Sequence, residues 1–187
     1  MGWSLEVDKL FGQIDKANSS DPGRALTGLL STGASRAPTP AQFNPWVHAE
    51  AVAYRGAIGL FAYRARERVY VCDYHGLADP MAARLELTSL DKNGVWHSGR
   101  GKPGHEKRLK SDWCIARTVD SLDGKPPTAN VQKVLTALGC GDLAVLQAAV
   151  TDRLTWRRFW RNVWLAPRLT RLRIPQDIAA ARDRFCG

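Results

Sequence analysis

The residue types best suited to ligand binding are concentrated in one polar segment, Asp73-Tyr74-His75-Gly76-Leu77-Ala78-Asp79-Pro80. It combines two carboxylates with an imidazole, and a guanidinium follows at Arg84. Because the segment lies between a predicted strand and a predicted helix, backbone amides at the helix start would add donors for a phosphate or a hydroxyl-rich sugar. We predict a ligand-binding site with these members: Asp73, His75, Gly76, Asp79, Arg84, His105 and Lys107.

The same residues have a purely structural alternative. Asp79 would cap the helix that follows, Asp73 would fix the turn, and Arg84 would pair with one of these carboxylates. The residues alone leave both alternatives open.

A zinc site is a weaker alternative for the same segment. Cys72 and His75 have C-x₂-H spacing, which would suit zinc if His97, His105 or Cys114 completed the ligand set. His105-Glu106 is not followed by the second histidine of an HExxH motif, so we expect no metal.

A second group of candidate residues lies near the C-terminus. Residues 151–187 hold nine arginines, and three tryptophans recur every fourth residue beside Phe159 and Val163. The favoured interpretation is a core-facing aromatic stripe with a solvated basic face. A membrane-surface role is the main alternative, and nucleic-acid binding is less favoured. The membrane-surface candidates are Trp156, Arg157, Arg158, Trp160 and Arg161.

Length and composition indicate one soluble domain that positions these residues. The chain has 187 residues, 44% of them hydrophobic, and no run approaches the roughly 18 apolar residues that a membrane helix requires. The formal net charge of +9 favours anionic partners, whether nucleic acid, lipid head groups, phosphorylated donors or acidic polymers.

Periodicity predicts few elements in the first half of the chain. We expect a short helix over 3–16, an irregular loop over 24–45, and two strands, 49–65 and 68–73, that form a hairpin. Pro80 is placed to open a helix over 81–85.

The second half predicts mostly helices. They span 111–122, 131–138 and 143–150, with a hinge at Gly139-Cys140-Gly141 and Asp142 as an N-cap. Thr155 would cap a helix that ends before Pro167, residues 169–174 would form a strand, and Asp177 would begin a last helix.

These elements predict a mixed α/β (α+β) fold, a small sheet with packed helices in a single soluble domain. We expect a division into an N-terminal helix and irregular loop segment over 1–48 and the mixed α/β domain over 49–187.

The order of several short motifs resembles one family. The segment from Arg55 to Leu85 contains R-G-x-I-G, V-x-V-x-D and G-L-A-D-P-M-A-A-R-L, and Pro103-Gly104-His105-Glu106-Lys107 follows. Ala137-Leu138-Gly139-Cys140-Gly141-Asp142-Leu143, Arg158-Phe159 and a closing Arg184-Phe185-Cys186 complete the order. Over residues 50–187 this resembles the C-terminal extracytoplasmic region of the terminal β-(1→2)-arabinofuranosyltransferases, which are membrane glycosyltransferases of the GT-C type.

The resemblance implies a function for the larger enzyme. Such enzymes transfer arabinofuranose from decaprenyl-phosphate arabinose to arabinan chains of the cell wall, at the extracytoplasmic (periplasmic) face of the bacterial plasma membrane. Their catalytic carboxylate lies in a membrane region that this chain does not contain, so we expect no catalytic residue here. The domain would assist acceptor binding, with the arabinan acceptor, its own transmembrane region and an anionic membrane surface as partners.

The resemblance also implies oxidised cysteines. Cys140 and Cys186 would form a disulfide that stabilises the fold by roughly 3 to 4 kcal/mol in the loop-entropy model. Cys72 and Cys114 are a second possible pair, and a buried thiol at Cys72 is the alternative.

A basic module that binds nucleic acid or anionic lipid is the alternative function. It predicts reduced cysteines and an affinity that falls steeply with ionic strength. The ordered motifs favour the glycosyltransferase domain, so nucleic acid is not the expected partner.

Overall fold

The structure, a computed structural model, describes residues 27–30, 39–49, 51–55, 69–73, 75–90, 96–98, 109–122 and 126–187. The chain forms two compact units. We call Met1–Asp73 with Arg117–Pro127 the sheet unit, and Tyr74–Ala116 with Thr128–Gly187 the helical unit. The described elements combine helices with two small sheets, which confirms the predicted α+β class.

The described residues of the sheet unit form five strands: β1 Thr27–Leu30, β2 Thr39–Phe43, β3 Ala51–Arg55, β4 Val69–Asp73 and β7 Val119–Leu122. Their order in the sheet is β4-β3-β1-β2-β7. β1 pairs parallel with β3 and β3 with β4, whereas β1–β2 and β2–β7 are antiparallel.

The predicted hairpin is wrong, because β3 and β4 run parallel with Ala51 opposite Val69 and Arg55 opposite Asp73. Val52 and Ala53 are adjacent in sequence and both buried, so this strand is covered on both faces. Such burial is typical of parallel sheets. The turn predicted at 64–67 lies outside the described residues.

The loop predicted over 24–45 contains β1 and β2, so that prediction is wrong for those residues. Neither TGLL of β1 nor TPAQF of β2 alternates apolar and polar residues, and Pro40, paired with Gly28, is more typical of a loop than of a strand. The helix predicted over 3–16 lies outside the described residues, and the division at residue 48 stays a prediction.

The helical unit contains most of the helices and a small hairpin. Its elements are a 3₁₀ turn Ala82–Arg84, the antiparallel pair β5 Thr88–Leu90 and β6 Trp96–Ser98, and helices α1 Ser111–Thr118, α2 Ala129–Leu138, α3 Gly141–Thr151, α4 Trp156–Thr170 and α5 Ile178–Cys186. The last two residues of α1 belong to the sheet unit.

Among the described residues, the buried core of the helical unit is aliphatic except for Trp113, and the partly buried Phe185 packs against it. α2 and α5 pack against each other, and α3 contacts α2, α4 and α5. The buried residues include Met81, Leu85, Leu109, Val131, Val134, Leu138, Leu143, Leu146, Leu169, Leu172, Ile174 and Ile178.

Several helix boundaries differ from the predictions. α1 ends at Thr118 and β7 follows at once, because Val119 pairs with Phe43 of β2. The helix predicted over 81–85 is only the 3₁₀ turn. The N-cap of α3 is Cys140, and Asp142 lies in its first turn, where it pairs with Arg168.

The strand predicted over 169–174 is also wrong. α4 continues through Pro167 to Thr170, and this extension buries Leu169. Ile174 alone forms a bridge, to Leu85. The N-caps predicted at Thr155 and Asp177 are confirmed, because each side chain accepts a hydrogen bond from the third amide after it.

Among the described residues no single helix combines the length and apolarity needed to cross a bilayer. α2 and α3 have the required length and apolarity only when they are taken together, and the chain bends by 86° between them. Their apolar residues form part of the core described above.

A disulfide joins Cys140 at the start of α3 to Cys186 at the end of α5, with a Cα–Cα distance of 5.2 Å, and confirms the predicted pair. Cys72 and Cys114 are also disulfide-bonded, so the alternative of a free buried thiol at Cys72 is wrong.

Replacing both members of the pair, Cys140→Ser with Cys186→Ser, should lower the free energy of unfolding by about 4 kcal/mol, because the bond closes a long loop in the unfolded chain. Urea unfolding of the oxidised proteins measures the difference. In the wild type neither Cys140 nor Cys186 should react with maleimide, because both sulfur atoms are in the disulfide. A loss below about 1 kcal/mol would contradict the loop-closure estimate.

The stabilisation that the N-cap residue Asp177 gives to α5 depends on pH. Asp177 Oδ1 accepts the N–H of Ala180 at 3.0 Å. This hydrogen bond lowers the pKa of Asp177 most; burial raises it, and the positive charges of Lys110 and Lys133 lower it again, so the pKa lies below its ordinary value. Since the pKa is lower in the folded state, the carboxylate stabilises the fold above the unfolded pKa, and this contribution disappears as pH falls through the folded pKa.

Asp177→Ala should therefore lower the free energy of unfolding by about 1 kcal/mol at neutral pH, and the difference from wild type should shrink below about pH 4. Asp177→Asn is the control, since an amide oxygen caps at every pH. Equal differences for the alanine variant at neutral and acidic pH would contradict the charge contribution.

Candidate functional site

Asp79 is used inside the fold. Its Oδ1 accepts the amide protons of Met81 at 2.8 Å and Ala82 at 3.0 Å, and the residue is only 3% exposed. A carboxylate that accepts two backbone N–H groups fixes the start of the 3₁₀ turn. The structural alternative is therefore correct for Asp79.

Gly76 is required by the loop that precedes this turn. Its φ is +80°, and a Cβ at this position would lie 2.6 Å from the carbonyl carbon and oxygen of Ala82. The loop thus folds back onto the turn at a distance that only glycine allows. Gly76 fixes the path of the chain between His75 and Asp79.

Arg84 joins the same turn to the end of α4. Its Nε donates to the carbonyl oxygen of Leu169 at 2.5 Å and its Nη1 donates to that of Pro80 at 2.7 Å. Leu169 O is one of the last carbonyls of α4, which lack intrahelical donors. Burial lowers the pKa of Arg84, although two charge-assisted hydrogen bonds hold its guanidinium.

The loop held by these contacts presents different residues to the surface. The side chain of Leu77 is 72% exposed, Ala78 is exposed, and His75 is half-buried. His75 is among the predicted ligand-binding residues and Leu77 is not, because an exposed leucine in a loop has the same sequence signal as a core leucine. Gly76, Asp79 and Arg84 therefore position the loop, whereas Leu77 and Ala78 are its exposed residues.

The remaining predicted members cannot be joined to this loop. Asp73 ends β4 in the sheet unit and is fully buried, with an interaction of its own. His105 and Lys107 lie outside the described residues. In the helical unit the structure brings together His75, Gly76, Asp79 and Arg84, and the wider ligand set stays a prediction.

The zinc alternative finds no support in the part of the chain that the structure describes. No three side chains of His, Cys, Asp or Glu meet there in a metal-binding group. Cys72 is disulfide-bonded and is not available as a thiolate ligand.

The side of α4 that faces its own unit is polar as well as apolar. Asn162 Nδ2 donates to the carbonyl of Ala149 at 3.2 Å, and Arg158 forms an ion pair of 2.5 Å with Asp152. Leu169 is buried and Leu165 half-buried on this side. Arg158, a predicted membrane-surface residue, has a side chain only 19% exposed and is thus held against α3.

The aromatic residues of α4 do not face the core, so the favoured interpretation of a core-facing stripe is wrong. Trp164 is 82% exposed and Trp156 75% exposed. We call the exposed set the aromatic face of α4; it consists of Trp156, Phe159, Trp160, Val163 and Trp164. Leu154, just before the helix, is also exposed.

Part of the aromatic face is an ordered cluster. The rings of Trp156 and Phe159 are stacked with centroids 5.9 Å apart, and Trp160 meets both edge-on at 5.6 and 5.3 Å. An open groove runs beside them, lined by Leu154, Thr155, Trp156 and Phe159. These contacts among aromatic rings favour one arrangement of a face that no described residue of its own unit covers.

A match to a known family model assigns the chain to a family. The profile of the AftB family C-terminal domain matches residues 39–183, more than three quarters of the chain. The chain belongs to the AftB family. This confirms the resemblance to the terminal arabinofuranosyltransferases, and the AftB domain is accordingly one part of such an enzyme. No curated protein and no solved structure gave a significant match.

The disulfides of this AftB-family domain fit its assignment to a membrane enzyme. Structural disulfides form and persist in oxidising compartments. Cys140–Cys186, together with the disulfide-bonded Cys72 and Cys114, therefore fits an extracytoplasmic location.

Gly76→Ala in the AftB-family domain should lower the free energy of unfolding by about 3 kcal/mol, because the new methyl group meets the backbone of Ala82 at a positive φ. Gly139→Ala is the matched control. Gly139 has a φ of −83° and a Cβ there would have its nearest contact at 3.4 Å.

Urea unfolding measures both variants. Gly139→Ala should stay within about 1 kcal/mol of wild type. Equal free energies of unfolding for the two variants would contradict the close approach of the loop to the turn.

Proposed function

We propose that this chain is the extracytoplasmic C-terminal domain of a membrane arabinofuranosyltransferase and helps to bind the acceptor glycan during assembly of cell-wall arabinan. The observation that carries the proposal is the family match over residues 39–183. The disulfides support placement at the extracytoplasmic face of the plasma membrane.

In this proposal the transfer reaction takes place in the membrane region of the enzyme. The donor, decaprenyl-phosphate arabinose, has a lipid tail that remains in the bilayer, which holds the sugar to be transferred close to the membrane region. Asp73 and Asp79 are buried and engaged within the fold, and Asp79 is already a backbone cap. Neither carboxylate is therefore offered to a substrate hydroxyl, which supports an accessory role for the domain.

The loop of the helical unit supports a location for the acceptor. Gly76, Asp79 and Arg84 hold the loop at three points, so its exposed residues are positioned before any ligand binds. Preorganised loops lose less conformational entropy on binding. The C–H groups of a furanose ring would pack on Leu77, and its hydroxyls would hydrogen-bond with the imidazole of His75.

An NMR titration of the chain with a short arabinofuranose oligosaccharide tests this proposal. We expect shifts confined to the amides of residues 75–84 and a weak affinity, because two side chains and a shallow loop bury little surface. Leu77→Ala and His75→Ala should each weaken binding by about 10-fold, which corresponds to about 1.4 kcal/mol.

Leu135→Ala is the matched control, since Leu135 is an exposed leucine on α2. It should bind like wild type. If millimolar sugar produces no shifts, or if the loop variants do not change them, the loop has no role in acceptor binding. The family assignment would still stand.

A basic polyanion-binding module is the second candidate, because arginines without a described partner lie beside exposed tryptophans on α4. An oligonucleotide in the same titration separates the two candidates. Affinity that falls steeply with salt and shifts on α4 alone would favour the polyanion module.

A further inference from the structure

The arginines near α4 divide into two groups by their partners. Arg158 pairs with Asp152, and Arg168 pairs with Asp142. Arg153, Arg157 and Arg161 form no ion pair or side-chain hydrogen bond with any described residue. The paired arginines hold α4 to α3, and the second group is available to an external anion.

The unpaired arginines flank the aromatic face. At the spacing of an α-helix, Trp156, Trp160 and Trp164 follow one another one turn apart in a single row. Arg157 and Arg161 form the neighbouring row on one side, and Phe159 and Val163 lie on the other side. The face thus places aromatic rings outermost, with guanidinium groups along one border.

We propose that the aromatic face of α4 docks on the interfacial region of an anionic phospholipid membrane. Tryptophan rings favour the boundary between headgroups and acyl chains. Arg157 and Arg161 would bind the phosphates while their stems lie along the aromatic rings. α4 contains no acidic residue, and the chain has a net charge of +9, so nothing on this helix repels an anionic surface.

A second copy of this chain fits the face less well. Two aromatic faces in contact would bring their arginine rows into one interface with no carboxylate on either helix, and unpaired like charges oppose association. An anionic lipid surface neutralises the same arginines and accepts the apolar rings. Charge complementarity therefore favours the membrane.

Vesicle flotation of the whole chain tests the proposal. Vesicles of phosphatidylcholine with phosphatidylglycerol should bind the chain, and vesicles of phosphatidylcholine alone should bind it far more weakly. The triple variant Trp156→Ser, Trp160→Ser, Trp164→Ser should lose about 100-fold in partitioning. Its control is Leu135→Ser with Val150→Ser, which removes two exposed apolar residues from α2 and α3 and should leave partitioning unchanged.

A charge variant tests the second half of the proposal. Arg157→Gln with Arg161→Gln should lose about 20-fold on anionic vesicles and almost nothing on neutral ones. Arg173→Gln with Arg182→Gln removes the same charge elsewhere and should retain most of the binding. Equal losses in the two variants would show that net charge alone attracts the chain and would overturn the docking face.

Tryptophan fluorescence of the wild type gives a readout that does not depend on any variant folding. With anionic vesicles the emission should shift to the blue, and lipids brominated near the headgroup should quench it. Absence of flotation and quenching would overturn the proposal. If the chain does not bind vesicles but forms a dimer that requires the three tryptophans, the partner of the aromatic face is a second copy. If it instead binds an oligonucleotide through these tryptophans, the partner is a nucleic acid, and either result overturns the proposal.

Discussion

The backbone pairing between Arg84–Glu86 and Ile174 supports the rest of the helical unit. Ile174 N donates to Arg84 O at 2.9 Å, and Glu86 N donates to Ile174 O at 2.8 Å. The guanidinium of Arg84 adds its bond to Leu169 O, and Gln176 Nε2 donates to Glu86 O at 3.0 Å. These bonds tie the segment after the loop to the connection between α4 and α5. Leu85 and Ile174 are both buried in the core, where exchange of these bonds for water is costly.

The two proposed surfaces depend on this pairing in different ways. The loop of His75 and Leu77 is positioned through the 3₁₀ turn that ends at Arg84. α4 is fixed at its C-terminal end by the same arginine and farther back by the contacts of Asn162 and Arg158 with α3. Polar contacts and the buried Leu169 fix one side of α4, and its tryptophans lie on the other side. This differs from the usual arrangement, in which the large apolar residues of a helix face the core, and it leaves the aromatic face available to a partner.

Sequence patterns predicted the features that depend on local chemistry. The caps at Thr155 and Asp177 and the Cys140–Cys186 pair are confirmed, since each follows from a short motif or the family resemblance. Strand pairing was not predictable, because the parallel alignment of β3 and β4 depends on contacts distant in sequence. The period of α4 was recognised, but the side that faces the core was not, because tryptophan at helical spacing gives the same pattern on a core face and on an exposed face.

Amide hydrogen exchange at Glu86 and Ile174, with Trp156 and Arg157 as internal references, tests the central role of the pairing. If the pairing supports the unit, the amides of Glu86 and Ile174 exchange only through global unfolding, with a free energy equal to that from urea unfolding. The amides of Trp156 and Arg157 lie in the first turn of α4, lack an intrahelical acceptor and should exchange rapidly. Rapid exchange at Glu86 and Ile174, at rates close to those of Trp156 and Arg157, would contradict a common support for the loop and α4.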